Sequence, residues 1–120
     1  MSPRDLVYVG HMLDMARKAV SKTQGISRET YDADENLRLA LIHLVQTIGE
    51  AGRQVSREFR DDHSDIRWAD IIGMRHKVVH DYLGVDDDIV WQVVTEDLPQ
   101  LVAALESIAS QTPPPPRATG

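Results

Sequence analysis

The chain has no cysteine, a single phenylalanine beside two tryptophans and three tyrosines, and no apolar run near the roughly 18 residues a membrane span requires. Without cysteine there is no disulfide and no thiolate-ligated metal, so nothing asks for an oxidising compartment. Few aromatics leave Leu, Ile, Val, Ala and Met to build the core. That palette favours helices and argues against an all-β sandwich. Period-2 strand patterns, internal repeats and a glycine-rich phosphate loop are all missing. The opening Met-Ser-Pro-Arg-Asp has no basic-then-apolar leader pattern, and a cytoplasmic protein is expected. What is present is 120 residues, 42% hydrophobic and 27% charged, the composition of one ordinary domain able to bury a core. Net charge is −6, which argues against tight nonspecific nucleic-acid binding over the whole surface. Residues 53–77, however, carry Arg53, Arg57, Arg60, Arg67, Arg75 and Lys77 against five acidic side chains, so a local basic patch is compatible with the sequence.

Helical periodicity begins at once. Ser2 and Pro3 form a cap and first-turn pair, and Leu6, Val9, Leu13, Ala16 and Val20 recur three or four apart, predicting a helix to about Lys22. Gly25 breaks it, and Ser27–Asp34 reads as a turn or one extra turn of helix. Leu37, Leu41, Leu44, Ile48, Ala51 and Val55 predict a long second helix whose stripe needs another helix against it. Arg57–Ser64 reads as a polar surface connection, with Asp65 capping a third helix from Ile66 towards Val79. Asp86–Asp88 places carboxylates at the positive end of a fourth helix. Pro99 suggests a break or kink near Asp97, because an interior proline costs about 3 kcal/mol. A last helix carries Leu101, Val102, Leu105 and Ile108. The expected fold is an all-α antiparallel bundle of four to six helices over residues 1–110, with a Pro-rich, disordered tail over 111–120.

The reactive side chains concentrate in Gly73-Met-Arg-His-Lys-Val-Val-His-Asp-Tyr82. Three readings fit them. A helix end gathers cations that favour its negative pole. Alternatively, His76 and His80, four apart, share a helix face and form half a metal site, although Lys77 follows His76 where a metalloprotease pattern has glutamate. The third reading is metal-free phosphodiester cleavage, which needs a proton carrier and a fixed cation to hold charge on the phosphoryl oxygens. Histidine and arginine supply these. Arg75 and His80 lie about 140° apart around a straight helix. Either the helix bends before His80, or two protomers pool their residues.

Arg75–Tyr82 spells R-x-x-x-x-H-x-Y, and in this the chain resembles the HepT-like toxins of the HEPN ribonuclease superfamily. Ile48-Gly-Glu-Ala51 resembles that family's I-G-E-A segment, and Ile66 to Arg75 resembles its W-x-x-I-x-G-M-R approach. Val85-Asp, Ile89-Val-Trp91 and Asp97-Leu-Pro99 continue in family order, so the likeness covers about residues 5–108.

The resemblance implies a homodimer with two R-x-x-x-x-H motifs facing across a cleft, and a ribonuclease that needs no metal or other cofactor. Arg75 and His80 become its catalytic pair. Cleavage by 2′-hydroxyl attack would leave a 2′,3′-cyclic phosphate and a 5′-hydroxyl. His76, where the family usually has a polar residue such as Asn, adds a second titrating group. Tyr82 matches the tyrosine on which MntA-like nucleotidyltransferase antitoxins place AMP. Glu50 and Asp81 are supporting residues, Glu50 as a partner for Arg75, and Lys77 and Arg67 are RNA contacts. Gly49, Gly73, Trp68 and Trp91 are read as structural. A different class of function, a non-catalytic adaptor subunit of a nucleotidyltransferase, also fits this family likeness.

Overall fold

Helix starts are written in small polar side chains. In a computed structural model, which describes residues 2–80 and 84–111 and, along 75–80 and 84–85, the backbone, Ser2 caps α1 (Pro3–Thr23) by accepting from the Asp5 N–H. Ser27 caps α2 (Arg28–Ala33), Asp34 caps α3 (Glu35–Gln54) and Ser56 caps α4 (Arg57–Asp62), each accepting from an N–H three residues on. Gly25, at φ 76°, turns the chain between α1 and α2 in a conformation that disfavours a side chain. After α5 (Trp68–Val78) come two short strands, β1 (Val79–His80) and β2 (Gly84–Val85). α6 (Asp87–Gln92), a π-helical turn (Val93–Asp97) and α7 (Leu98–Gln111) then run on without interruption.

Buried Val9, Met12, Ala16, Leu41, Val45, Ile48, Val90, Val94, Leu98 and Leu105 form one core. α1 packs against α3 and α7, and α3 against α5. α1 and α3 are antiparallel, since Arg4 at the start of α1 donates to Gln54 at the end of α3. The all-α bundle is as expected, and no helix among the described residues is long and apolar enough to cross a membrane. The α1 stripe is rotated from its expected position. Met12 and Ala19 are fully buried, whereas Leu6 lies at the solvent edge.

Four local expectations are corrected. Arg57–Ser64 is not a bare surface connection: α4 occupies most of it, because Phe59, 3% exposed, gives the polar stretch a single core anchor. Asp65 does not cap α5, which begins at Trp68; the preceding loop is tied down instead by the Trp68 indole N–H, donated to the His63 carbonyl at 2.9 Å. Pro99 does not break the helix, and the irregularity near Asp97 takes the form of the π-helical turn Val93–Asp97. The Leu98 N–H bonds to the Val93 carbonyl five residues back, and this wider turn carries the helix past the ring that would clash in a regular α-helix. Finally, the chain does contain β structure, the antiparallel pair Val79↔Val85 and His80↔Gly84. α7 reaches Gln111, and the reading of residues 112–120 as a disordered tail lies outside the described residues.

Of the two glycines read as structural, Gly49 makes a close contact: a Cβ there would sit 3.0 Å from the Ile71 carbonyl oxygen, so α3 lies against the backbone of α5, whereas a Cβ on Gly73 would meet nothing within 4 Å among the described residues. Gly52 is the second contact point, facing Ile71, Ile72 and Met12. Gly49→Ala is therefore expected to cost about 1 kcal/mol net, the strain of pushing α5 away exceeding the helix propensity gained. Urea denaturation would show it; a stabilised Gly49→Ala protein would mean that α5 yields freely.

Candidate active site

The backbone answers the question raised by the motif spacing. α5 ends at Val78, where two β-branched valines in succession favour extended chain, so Arg75 belongs to the last turns of a helix and His80 to the strand that leaves it. His76 and Lys77 are on the same final turns. The two motif residues do not belong to one straight helix, and the chain reverses immediately afterwards to pair His80 with Gly84. Asp81 and Tyr82 lie outside the described residues.

Both ends of this segment are anchored. Upstream, Gly49 seats α3 on the carbonyls of Ile71 and Ile72, one turn before Arg75. Downstream, the acid run divides its work. Asp86 caps α6 by accepting from the Asp88 and Ile89 N–H groups, the Asp87 carboxylate accepts from the Tyr31 hydroxyl at 2.8 Å, and Asp88 pairs with Arg28 at 2.7 Å. Tyr31 is wholly buried and leans on Trp91, with ring centroids 5.3 Å apart. Burial, reinforced by the hydrogen bond to Asp87, holds its phenol far above the ordinary range, so it remains a neutral donor at any physiological pH. α2 thus fastens the start of α6, immediately after the reversal that carries His80. Tyr31→Phe leaves the Asp87 carboxylate without that donor and is expected to cost about 1–2 kcal/mol in equilibrium unfolding. An unchanged midpoint would show that water replaces the hydroxyl.

Glu50 is exposed on α3 and its carboxylate is engaged by Arg53 at 3.0 Å, one turn on. Arg67 stands just before α5 with its side chain 87% exposed, 3.7 Å from Asp70. Trp68 is buried, edge-on to Phe59, and Trp91 is half-buried, so both pack as expected. The anchoring residues Tyr31, Arg28 and Asp87 were not singled out by sequence reasoning. The only local signal was the length of the acid run, longer than one cap requires.

A family model described as Ribonuclease HepT-like matches residues 12–108, and the chain belongs to this HEPN-superfamily family. A protein of Caldanaerobacter subterraneus subsp. tengcongensis named as a candidate RNase is 34% identical over 101 residues, covering 84% of this chain and 90% of its own. One from Thermococcus cleftensis, named as a candidate ribonuclease HepT, is 34% identical over 86 residues, 72% of this chain and 78% of its own. A third, from Methanocaldococcus jannaschii and also named as a candidate RNase, is 28% identical over 109 residues, 90% of this chain and the whole of the relative. No solved structure gives a significant match.

Proposed function

We propose that the protein is a metal-independent endoribonuclease and the toxin of a two-gene toxin-antitoxin module. The observation that carries this is the complete R-x-x-x-x-H-x-Y sequence, Arg75 to Tyr82, in a chain of the HepT-like family, with Arg75 in the last turns of α5 and His80 in the strand that follows. The 2′-hydroxyl of RNA loses its proton to an imidazole while its oxygen attacks the adjacent phosphorus. The bond from phosphorus to the 5′ oxygen breaks, and that oxygen takes a proton. The products are a 2′,3′-cyclic phosphate and a 5′-hydroxyl. His80 and His76, with the same pair in a second protomer of a homodimer, supply the proton carriers, and Arg75 holds the charge on the phosphoryl oxygens. Asp81 supports the pair, and Lys77 and Arg67 contact the RNA backbone.

Neutralisation is by transfer of AMP from ATP to the Tyr82 hydroxyl, releasing pyrophosphate, by a MntA-like nucleotidyltransferase antitoxin. An adenylate there adds bulk and negative charge two residues from His80, where an RNA phosphate must sit. The test is cleavage of total cellular RNA in excess EDTA, using protein whose intact mass shows no adenylate. Cutting that persists in chelator and yields 2′,3′-cyclic phosphate ends is expected. Cutting that requires an added divalent ion would overturn the metal-free mechanism.

A further inference from the structure

The second basic feature of the molecule lies at the other end of α5 from the motif. Arg57, Arg60 and Arg67, with Ser64 and Trp68, line an open hollow of about 590 Å³ between α4 and the start of α5, and Asp61 is the one carboxylate among the lining side chains. Three guanidinium groups against one acid is an excess of positive charge on a chain of net charge −6. Two of these arginines are also uncommitted. Arg17, Arg28 and Arg53 are each paired with a carboxylate at 3.0 Å or less. Among the described residues, neither Arg57 nor Arg60 has an acidic side chain within ion-pair reach, and Arg67 has only the loose 3.7 Å approach to Asp70. The Nε–H of Arg60 is shut off from solvent with no hydrogen-bond partner among the described residues, an unfavourable state for a buried donor.

The base of this hollow is rigid. Ser56 caps α4 and Phe59 holds it to the core, its ring 4.4 Å from that of His63 and 6.0 Å from that of Trp68. The hydrogen bond from Trp68 to the His63 carbonyl closes the loop between them. The arginine-bearing backbone is therefore positioned before any ligand arrives, which reduces the ordering cost of binding. Arg75 is seven residues along α5 from Trp68, about 10 Å along the helix axis, so both sites lie within the span of a short RNA strand.

We infer that the hollow formed by Arg57, Arg60 and Arg67 is a phosphate-binding subsite that holds the backbone of single-stranded RNA away from the scissile bond. This rests on the ribonuclease reading for its ligand but not on the motif residues for its binding energy. Guanidinium groups suit phosphate oxygens through paired N–H donors, and contacts of this kind position a strand without reading its bases.

The test is fluorescence anisotropy of a labelled 12-nucleotide single-stranded RNA with the full chain carrying His80→Ala, so that the probe stays intact, at several salt concentrations. Arg57→Glu, at an exposed position, and Arg60→Met, which keeps the packed stem but removes the charge, are added singly and together. The double variant is expected to bind at least 10-fold more weakly, with a slope of log K against log salt shallower by about 1.4 for two lost phosphate contacts. Arg60→Lys should restore most of the Arg60→Met loss, and thermal melts identify any variant that has lost its fold. Unchanged affinity and salt slope in the folded double variant overturn the subsite. Cleavage by protein with His80 intact reports separately on the ribonuclease reading: cutting by that protein together with unchanged binding by the arginine variants removes the subsite and leaves the enzyme.

Discussion

Replacement of His80 by alanine is expected to lower RNA cleavage by roughly 100- to 10,000-fold, the range over which a positioned proton carrier acts. Arg75→Ala should lose roughly 100- to 1,000-fold, because charge building on the phosphoryl oxygens is then met by water instead of a fixed cation. The two groups serve one transition state, so the double variant should be little worse than the poorer single. Arg75 belongs to the last turns of α5 and His80 to the two-residue strand beyond it, outside α1 and the helices α3 and α7 that pack against it. Melting temperatures close to wild type are accordingly expected alongside the lost activity. Cleavage assays on melting-matched proteins check this. Retention of full cutting by both variants would place the chemistry elsewhere, and absence of cutting by unmodified wild type would favour the adaptor-subunit reading.

The largest expected stability effect is far from the motif. Asp5, 3% exposed, accepts from the Ser56 backbone N–H at 2.8 Å and from the Ser56 hydroxyl at 2.7 Å, joining the first turn of α1 to the residue that caps α4. Burial alone would raise its carboxyl. The two bonds from Ser56, together with the Ser2 side chain and the positive charge of the amino terminus, outweigh burial and hold it below its ordinary value of 3.8. Asp5→Ala leaves both Ser56 donors without that partner and is expected to cost about 2–4 kcal/mol, or roughly 10 °C in melting temperature. The pH dependence follows from the sign of the shift. A carboxyl lowered in the folded state contributes fully above its unfolded pKa and loses that contribution as pH falls through the folded value. The advantage of wild type over Asp5→Asn should therefore be constant near neutrality and shrink below about pH 4. A gap that instead persists undiminished in acid would mean that packing, and not the ionised carboxylate, carries the effect. Loosening of α4 should also weaken RNA binding at the proposed phosphate subsite of Arg57, Arg60 and Arg67.

Much of the architecture was legible because it is local. The cap Ser2, the stripe from Leu41 to Val55 and the apolar positions of α7 follow from hydrogen bonding three residues apart and from helical period. The motif was legible for a related reason: Arg75, His80 and Tyr82 are close in sequence, and their residue types are those that phosphoryl chemistry and tyrosine modification need. Pattern reading failed where one distant contact decided the outcome. Phe59 alone turns a polar stretch into a helix by reaching the core, and a π turn absorbs Pro99 that local propensity would have used as a stop.

By itself, then, the sequence determined an all-α chain with its reactive residues in one short segment, since helix period and side-chain chemistry are written residue by residue. Only the tertiary structure decided that Gly49 seats the motif helix against α3. It likewise set Asp87 and Asp88 as anchors for Tyr31 and Arg28, and gathered Arg57, Arg60 and Arg67 around one hollow. Each of these depends on surfaces brought together from separate elements, and no local preference of the chain encodes that meeting.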